Sequence, residues 1–209
     1  MIAGATGLIG SQLLELLLKE DRYEKVTAIS RQRLERSSPK FQNVVADINT
    51  LGQFNASFRV DDVFCCLGTT MRKAKTKEGF RRVDFDFPVA MAKIAKQQGA
   101  RQFLLVSSLG ANKSSSIFYN RVKGETEEAI AAVGFESYHI FRPSLLLGHR
   151  TEHRAGEDAA KWLYNALGVL IPGKYRAIES AKVARAMLEL AANERKGNHV
   201  HESGALQNF

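Results

Sequence analysis

The sequence is poor in cysteine and contains no long apolar run. Its two cysteines, Cys65 and Cys66, are adjacent, which places them badly for a disulfide with each other. Neither they nor the histidines and carboxylates have metal-ligand spacing, so we expect reduced cysteines, a cytoplasmic protein and no metal. The apolar segment Leu13–Leu18 is interrupted by Glu15 and is far shorter than the roughly 18 residues that cross a bilayer. We therefore expect no membrane partner.

We also expect no targeting segment, because the first motif begins at Gly4, after only three residues. A strand that leads into a glycine loop usually has about five residues. The first strand is therefore either unusually short or lacks its beginning, and the sequence leaves both alternatives open.

The 209 residues are 44% hydrophobic and 25% charged, which is typical of a globular protein, and no internal repeat or low-complexity segment occurs. This length predicts one domain over residues 1–209, with residues 144–209 forming most of the substrate side. The net charge of +8 would suit nucleic acid. However, the basic residues cluster after two predicted strands, where they would face a cofactor or be ordinary loop charges, and we expect no nucleic-acid partner. These residues are Arg31, Arg33, Arg36 and Lys40, and Arg72, Lys73, Lys75 and Lys77.

Strand-like and helix-like segments alternate along the chain, which indicates an α/β fold with a doubly wound parallel sheet, the Rossmann fold, and a small C-terminal extension on the substrate side. We predict that Pro88 kinks or divides one long helix and that Gly99 ends it. The predicted strands after the first cover residues 25–29, 43–46, 62–67, 102–107, 137–141 and 199–201. The predicted helices cover residues 8–19, 76–98, 118–133, 156–167 and 180–193.

Glycines at positions 4, 7 and 10 form a G-x-x-G-x-x-G loop between the first strand and the first helix. Gly4 would allow the tight turn, Gly7 would let a phosphate approach the backbone, and Gly10 would permit close helix packing. The unpaired N–H groups at such a helix start bind anions. The loop therefore predicts a dinucleotide cofactor.

The end of the second strand indicates which dinucleotide is bound. Arg31 stands where an acidic residue would accept hydrogen bonds from a ribose 2′-hydroxyl, and a guanidinium suits a 2′-phosphate instead. We therefore predict NADP, with NAD possible if Arg31 is only a surface residue. Asp47, after the third strand, could accept from the adenine amino group or could be an ordinary turn residue.

The residues after the fourth and fifth strands, and on the helix that follows the fifth, include candidates for cofactor contact and for catalysis. Gly68 would let the chain pass beside the cofactor, and Ser107 and Ser108 lie at the carboxyl edge of the sheet, where such folds bind ligands. Tyr119 and Lys123 are four positions apart on one helical face, a spacing that is common on helix surfaces. A phenol ordinarily titrates near pH 10, and a nearby ammonium would favour its ionised form. One of the two serines would polarise a substrate carbonyl, and we favour Ser107.

The combination of the glycine loop, the strand-end serine and Tyr-x-x-x-Lys resembles the short-chain dehydrogenase/reductase superfamily. Four further segments resemble its atypical branch, which contains the Tat-interacting oxidoreductases and their small bacterial relatives. These segments are residues 65–70, 110–115, 122–125 and 141–143. The resemblance covers nearly the whole chain and is strongest between residues 60 and 150.

This resemblance implies NADP on a Rossmann domain, with Tyr119 as proton donor or acceptor and Lys123 as its partner. It also implies a set of cofactor contacts. These are Thr6, Gly7, Leu8 and Ile9 in the loop, Arg31, Leu67 and Gly68 after strands, and Tyr119, Lys123 and Arg150. We also expect Gly4, Gly10 and Thr69 to belong to the cofactor site, and the catalytic hydroxyl to come from Ser107 or Ser108. The branch has a second basic residue after strand two, where this chain has Gln32. Arg142 follows the sixth strand and would contact the cofactor or anchor the fold.

Two functions are compatible with these residues. The first is an NADP-dependent oxidoreductase acting on a small, unidentified carbonyl or alcohol. The second is a regulatory or protein-interaction module that senses NADP(H) with little turnover. The helices over residues 76–98 and 118–133 could form a homodimer face, although we expect a monomer.

Overall fold

The computed structural model describes residues 1–148, 175–193 and 195–209. Seven strands form one sheet in the order β3-β2-β1-β4-β5-β6-β9, and every neighbouring pair is parallel. Two further strands, β7 and β8, pair with each other in parallel. The strands are β1 Ile2–Ala3, β2 Val26–Ser30, β3 Phe41–Val45, β4 Asp62–Cys65, β5 Gln102–Val106, β6 Ser137–Arg142, β7 Leu146–Leu147, β8 Ile178–Glu179 and β9 Gly197–Glu202.

Helices connect most of these strands, as is usual for parallel pairing, whereas residues 31–40 join β2 to β3 without a helix. They are α1 Leu8–Lys19, α2 Met71–Ala74, α3 Lys77–Arg81, α4 Phe87–Gln97, α5 Phe118–Ala131, α6 Ser180–Ala192 and α7 Ser203–Leu206. A 3₁₀ segment covers Leu51–Phe58, and a π-helical turn, Arg82–Asp86, joins α3 to α4.

Apolar side chains cover both faces of the sheet, because successive residues of a strand point to opposite sides. Phe103 on β5 belongs to a core that includes Met91 of α4 and Ile130 of α5. Its neighbour Leu104 belongs to the opposite core, which includes Leu13 of α1 and Met187 of α6. The predicted doubly wound α/β fold is thereby confirmed, whereas one domain over the whole chain stays a prediction.

The predicted elements agree with the structure to within a few residues, with one informative interruption. The helix predicted over residues 76–98 is divided, as expected, and the irregular part is the π-helical turn that directly precedes α4 and Pro88. Pro88 itself lies in the first turn of α4, directly after this helical segment, and a proline there lacks the N–H of the regular ladder and crowds the carbonyl four residues earlier. Gly99 has a φ of +97° and ends α4, as predicted. The helix predicted at 156–167 lies outside the described residues.

Several short elements were not predicted, namely α2, α7, β7, β8 and the 3₁₀ segment. Both cysteines are free, and Cys65 is buried in β4. In the ranges that the structure describes, no helix combines the length and apolar character needed to cross a membrane.

Candidate cofactor and active site

A cleft of about 910 Å³ lies at the carboxyl edge of the sheet. The glycine loop, the segment after β4, the end of β5, helix α5 and the segment after β6 all contribute to it. Its lining contains the predicted site residues Thr6, Gly7, Leu8, Ile9, Leu67, Gly68, Thr69, Ser107, Tyr119 and Lys123. The structure therefore brings most of the predicted site together.

The glycine loop is shaped by close backbone contacts. Gly4 has a φ of +81°, and a Cβ atom there would lie 2.5 Å from the Cys66 carbonyl oxygen. A Cβ atom on Gly10 would lie 2.1 Å from the Gly4 carbonyl oxygen. Gly4 and Gly10 thus set the path of the loop, and neither lines the cleft. These contacts agree with the tight turn predicted at Gly4 and the close helix packing predicted at Gly10.

Gly7 has a different position, because it is exposed to the cleft and is the N-cap residue of α1. Its N–H donates to the Gly4 carbonyl at 2.9 Å. Within the described residues, no side chain caps α1. Its first-turn N–H groups are therefore available to an anion, and the helix dipole favours negative charge at the same point. The loop fits a pyrophosphate.

Helix α5 carries Tyr119 and Lys123 into the cleft. The Tyr119 ring packs against Phe80, with 5.5 Å between ring centroids. Gly124, one residue after Lys123, lies against the loop that precedes α5. A Cβ atom on Gly124 would lie 2.2 Å from the backbone nitrogen of Lys113 in that loop. The glycine of the Val-Lys-Gly-Glu segment thus lets α5 approach this loop and fixes the height of the helix beside the cleft.

Lys123 is buried and forms an ion pair with Asp84, with 2.9 Å between Nζ and Oδ1. The other carboxylate oxygen of Asp84 accepts a hydrogen bond from the Thr69 N–H at 2.8 Å. Burial alone would lower the pKa of Lys123, but attraction to Asp84 and Tyr119 outweighs it, and the pKa is raised. Lys123 is consequently an ammonium at neutral pH.

The two candidate serines differ in what their hydroxyl groups contact. Ser107 is buried and donates to Glu127 Oε1 at 2.5 Å. The Oγ atom of Ser108 is also buried but has no hydrogen-bond partner among the described residues, and Ser108 lines the cleft. The Ser107 proton therefore points to Glu127, whereas the Ser108 hydroxyl is not committed to a partner among the described residues.

Arg142 was predicted either to contact the cofactor or to anchor the fold, and its contacts support the second alternative. Its guanidinium donates to both carboxylate oxygens of Glu127, at 3.0 and 2.6 Å, and to Glu202 at 3.1 Å. Hydrogen bonding to Glu127 is the main cause that raises its pKa. Arg142 lies outside the cleft lining, in a separate cavity of about 420 Å³ that Glu127 shares. The placement of Arg142 at the cofactor is not supported.

Arg31 and Asp47 also lie outside the lining of the cleft. Arg31 is exposed directly after β2, at the same sheet edge as the glycine loop. The Asp47 carboxylate accepts from the backbone N–H groups of Asn49 and Thr50, which lower its pKa. Asp47 is thus a turn residue, the alternative considered beside adenine binding. Arg150 lies outside the described residues.

Sequence reasoning missed several cleft residues, of which Asp84 is the most informative. Its signal was a carboxylate in the middle of an amphipathic helix, which usually marks a buried partner for a cation. Glu127 carried a second signal, since it follows Lys123 at helical spacing and shares its face. The other unpredicted lining residues are Ser11, Cys66, Thr70 and Val106, whereas Arg72 and Lys73 belong to the basic cluster that was expected to face a cofactor or to be loop charge.

The segment after β6 supplies the remaining wall, through Pro143, Ser144, Leu145 and Leu146. The described residues contain no group of three or more histidine, cysteine or acidic residues able to hold a metal ion. The absence of a metal from the whole chain stays a prediction.

Comparison with known families decides which kind of cleft this is. A family model described as NAD(P)H-binding matches residues 4–194. The chain belongs to this family, the atypical short-chain dehydrogenases/reductases. It is 41% identical over 191 residues to the protein HTATIP2 of Rattus norvegicus, covering 90% of this chain and 78% of that protein. It is 32% identical over 202 residues to the protein "FMP52, mitochondrial" of Candida albicans, covering 91% and 86%.

Solved structures with the same fold are more distant in sequence. MoeE5 in complex with UDP-glucose and NAD superposes with a TM-score of 0.72 at 18% identity, over 95% of this chain and 73% of that one. UDP-glucose 4-epimerase from Thermotoga maritima superposes with a TM-score of 0.71 at 16% identity, over 97% and 76%. These likenesses support the Rossmann fold.

The glycine contacts predict that alanine has different effects at Gly10, Gly7 and Gly52. Gly10→Ala should destabilise the protein by more than about 3 kcal/mol, because its Cβ would overlap backbone that cannot move away. Gly7→Ala should leave the free energy of unfolding within about 1 kcal/mol of wild type, since its Cβ would lie 3.3 Å from the Gly4 oxygen, but should weaken NADPH binding about tenfold or more. Urea denaturation and calorimetric titration measure these effects.

Gly52→Ala is the matched control, because a Cβ there would have no atom within 4 Å. It should change neither quantity. A Gly10→Ala variant with wild-type stability would contradict the packing described for the loop.

Proposed function

We propose that the protein is an NADP-dependent oxidoreductase that interconverts a small carbonyl compound and its alcohol. One observation carries this proposal: Tyr119 and Lys123 line the same cleft as a glycine loop suited to a pyrophosphate. A family that binds NAD(P)H supports it further. Thr6, Gly7, Leu8 and Ile9 would hold the pyrophosphate, and Lys123 would hold the nicotinamide ribose.

When bound, the nicotinamide supplies or accepts a hydride. Tyr119 then handles the proton: in reduction its hydroxyl proton is transferred to the carbonyl oxygen as that oxygen gains negative charge, which leaves a phenolate, and in oxidation this phenolate takes the proton from the alcohol. The Lys123 ammonium stabilises the phenolate, because opposite charges one helical turn apart attract. Reduction therefore needs Tyr119 with its hydroxyl proton, and oxidation needs Tyr119 as the phenolate. Lys123 must be a charged ammonium in both directions.

We assign the polarisation of the carbonyl to Ser108. A hydroxyl that is to donate to a developing oxyanion must not be committed elsewhere. The proton of Ser107 is directed to Glu127, while the Oγ of Ser108 is buried at the cleft without a partner among the described residues. This assignment replaces the preference for Ser107 that the sequence suggested.

The preference for NADP over NAD belongs to the proposal and rests on Arg31. The side chain is exposed after β2, where no acidic residue competes for a ribose hydroxyl. The loop that carries it is held in place, since Asn43 donates to Ser30 Oγ at 2.8 Å and accepts from the Leu34 N–H at 2.8 Å. A fixed loop with a guanidinium suits a 2′-phosphate.

Further parts of the proposal concern partners and compartment. We propose a cytoplasmic monomer without nucleic-acid or membrane partners, on the grounds of the free cysteines and the position of the basic residues. The alternative, an NADP(H)-sensing module that docks a protein partner, would bind cofactor through the same loop and would show no turnover. A panel of aldehydes and ketones assayed with NADPH separates the two.

Replacing Tyr119 by phenylalanine tests the proposed reaction most simply. The variant keeps the ring that packs on Phe80 and loses the transferable proton, so turnover should fall by about 10²- to 10⁴-fold while NADPH affinity stays near wild type. Tyr138→Phe is the control, since the buried Tyr138 hydroxyl has no partner in the described part of the chain. Its turnover should be unchanged. Equal turnover in wild type and Tyr119→Phe would exclude the proposed acid/base.

The two serine variants separate the two hydroxyl groups. Ser108→Ala should lower kcat about 10- to 10³-fold with little change in stability, because it removes the donor to the oxyanion. Ser107→Ala should lower stability by about 1–3 kcal/mol, because it leaves Glu127 with one donor fewer, and should lower kcat less. The reverse order of the two kcat values would return the catalytic role to Ser107.

Cofactor selection is tested at Arg31. Wild type should bind NADPH more tightly than NADH, and Arg31→Ala should weaken NADPH binding about tenfold without changing the affinity for NADH. Calorimetric titration of both cofactors measures this difference. If wild type binds NADH as tightly as NADPH, the chain is not selective for NADP.

A further inference from the structure

The Lys123–Asp84 pair connects two walls of the cleft. Both side chains are almost fully buried, with 6% and 0% of their surface exposed. Asp84 belongs to the π-helical turn, yet its carboxylate also accepts from Thr69 in the segment after β4. Its backbone carbonyl accepts from Thr126 Oγ1 on α5 at 2.8 Å. The Asp84 carboxylate is therefore fixed independently of Lys123 and can determine where the ammonium lies.

Gly68 lies beside this pair in the lining of the cleft. A Cβ atom on Gly68 would lie 3.6 Å from Asp84 Oδ1 and 3.7 Å from Lys123 Nζ, and Gly68 is itself exposed and lines the cleft. Because this position has no side chain, a ligand in the cleft can reach the ammonium. An ammonium has three N–H donors, so one can remain with Asp84 while others face the ligand.

The surroundings of Lys123 would not keep it charged without Asp84. A buried ammonium without a counter-charge loses its proton at lower pH than an exposed one. The Cys65 thiol is close, but burial raises its pKa to about 12, which keeps it neutral. Glu127, on the same face of α5, is committed to Ser107 and Arg142. Asp84 is the carboxylate within ion-pair distance of Lys123 in the described residues.

We propose that Asp84 is a positioning residue for the cofactor cleft, which keeps Lys123 charged and holds its ammonium beneath Gly68 at the point where the cofactor ribose would be bound. The second half of this inference rests on the proposed function, because it assumes that Lys123 contacts the cofactor. The first half concerns only the charge of Lys123 and can be tested in the protein without cofactor.

The charge of Lys123 is tested by thermal unfolding of Asp84→Asn, Lys123→Met and the double variant at pH 6 and pH 9. Asparagine keeps an oxygen for the Thr69 N–H but removes the negative charge. In Asp84→Asn the folded-state pKa of Lys123 should fall below its unfolded value, so the unfolded chain binds more protons and stability rises with pH. The Tm deficit relative to wild type should therefore shrink by at least about 3 °C between pH 6 and pH 9.

The double variant serves as the control, because methionine at position 123 has no proton to lose. Its Tm difference from wild type should be nearly independent of pH and smaller than that of Asp84→Asn at pH 6, since no buried charge remains unpaired. If Asp84→Asn does not fold at pH 6 but the double variant does, that result would also support the inference. A deficit of Asp84→Asn that is equal at both pH values, or a double variant that fails to fold, would overturn it.

Positioning toward the cofactor has its own readout in NADPH titrations of the same variants. The Kd of Asp84→Asn should rise about tenfold more than that of wild type between pH 6 and pH 9, as Lys123 loses its charge, and this difference should vanish in the Lys123→Met background. If Asp84→Asn shows the pH-dependent Tm change but its Kd for NADPH changes with pH as that of wild type does, then Asp84 keeps Lys123 charged but Lys123 does not contact the cofactor. Loss of turnover is not needed for either result.

Discussion

Close backbone packing at the glycine loop is the constraint on which the rest of the cleft depends. At Gly4 the chain leaves β1 against the Cys66 carbonyl, and Gly10 brings α1 onto the Gly4 carbonyl. Neither contact leaves space for a methyl group. Because both are between backbone atoms, they fix the start of α1 relative to β4, and with it the unpaired N–H groups that make the family's nucleotide site. Gly124 fixes α5 in the same way.

Helix α5 then carries three functional side chains along one face. Tyr119, Lys123 and Glu127 follow one another at successive turns, and the two charged residues are each paired from another element. Asp84 pairs with Lys123 in the lining of the cleft, and Arg142 pairs with Glu127 outside that lining. The Arg142–Glu127 pair fixes the carboxylate to which Ser107 donates its proton. Arg142, which anchors β6 to α5, therefore also determines that Ser108 and not Ser107 has a hydroxyl uncommitted among the described residues.

The fold was predictable from the sequence because alternating strands and helices permit few topologies, and because a glycine loop between a strand and a helix has a specific physical purpose. Tyr119 and Lys123 were predictable for the same reason, as their order relative to the loop and the strand-end serines is informative. The roles of Ser107, Arg142 and Asp84 were not, since they depend on contacts between residues 15 to 60 positions apart. Only the three-dimensional packing shows which polar side chain finds which partner.

The most direct test is a crystal structure of the protein with NADP⁺. The pyrophosphate should lie against the backbone N–H groups of residues 8 and 9, and Lys123 Nζ should donate to a hydroxyl of the nicotinamide ribose while it remains in contact with Asp84. The nicotinamide should lie beside Tyr119 and Ser108. A dinucleotide bound outside this cleft, or one whose nicotinamide half does not contact Lys123, would contradict it.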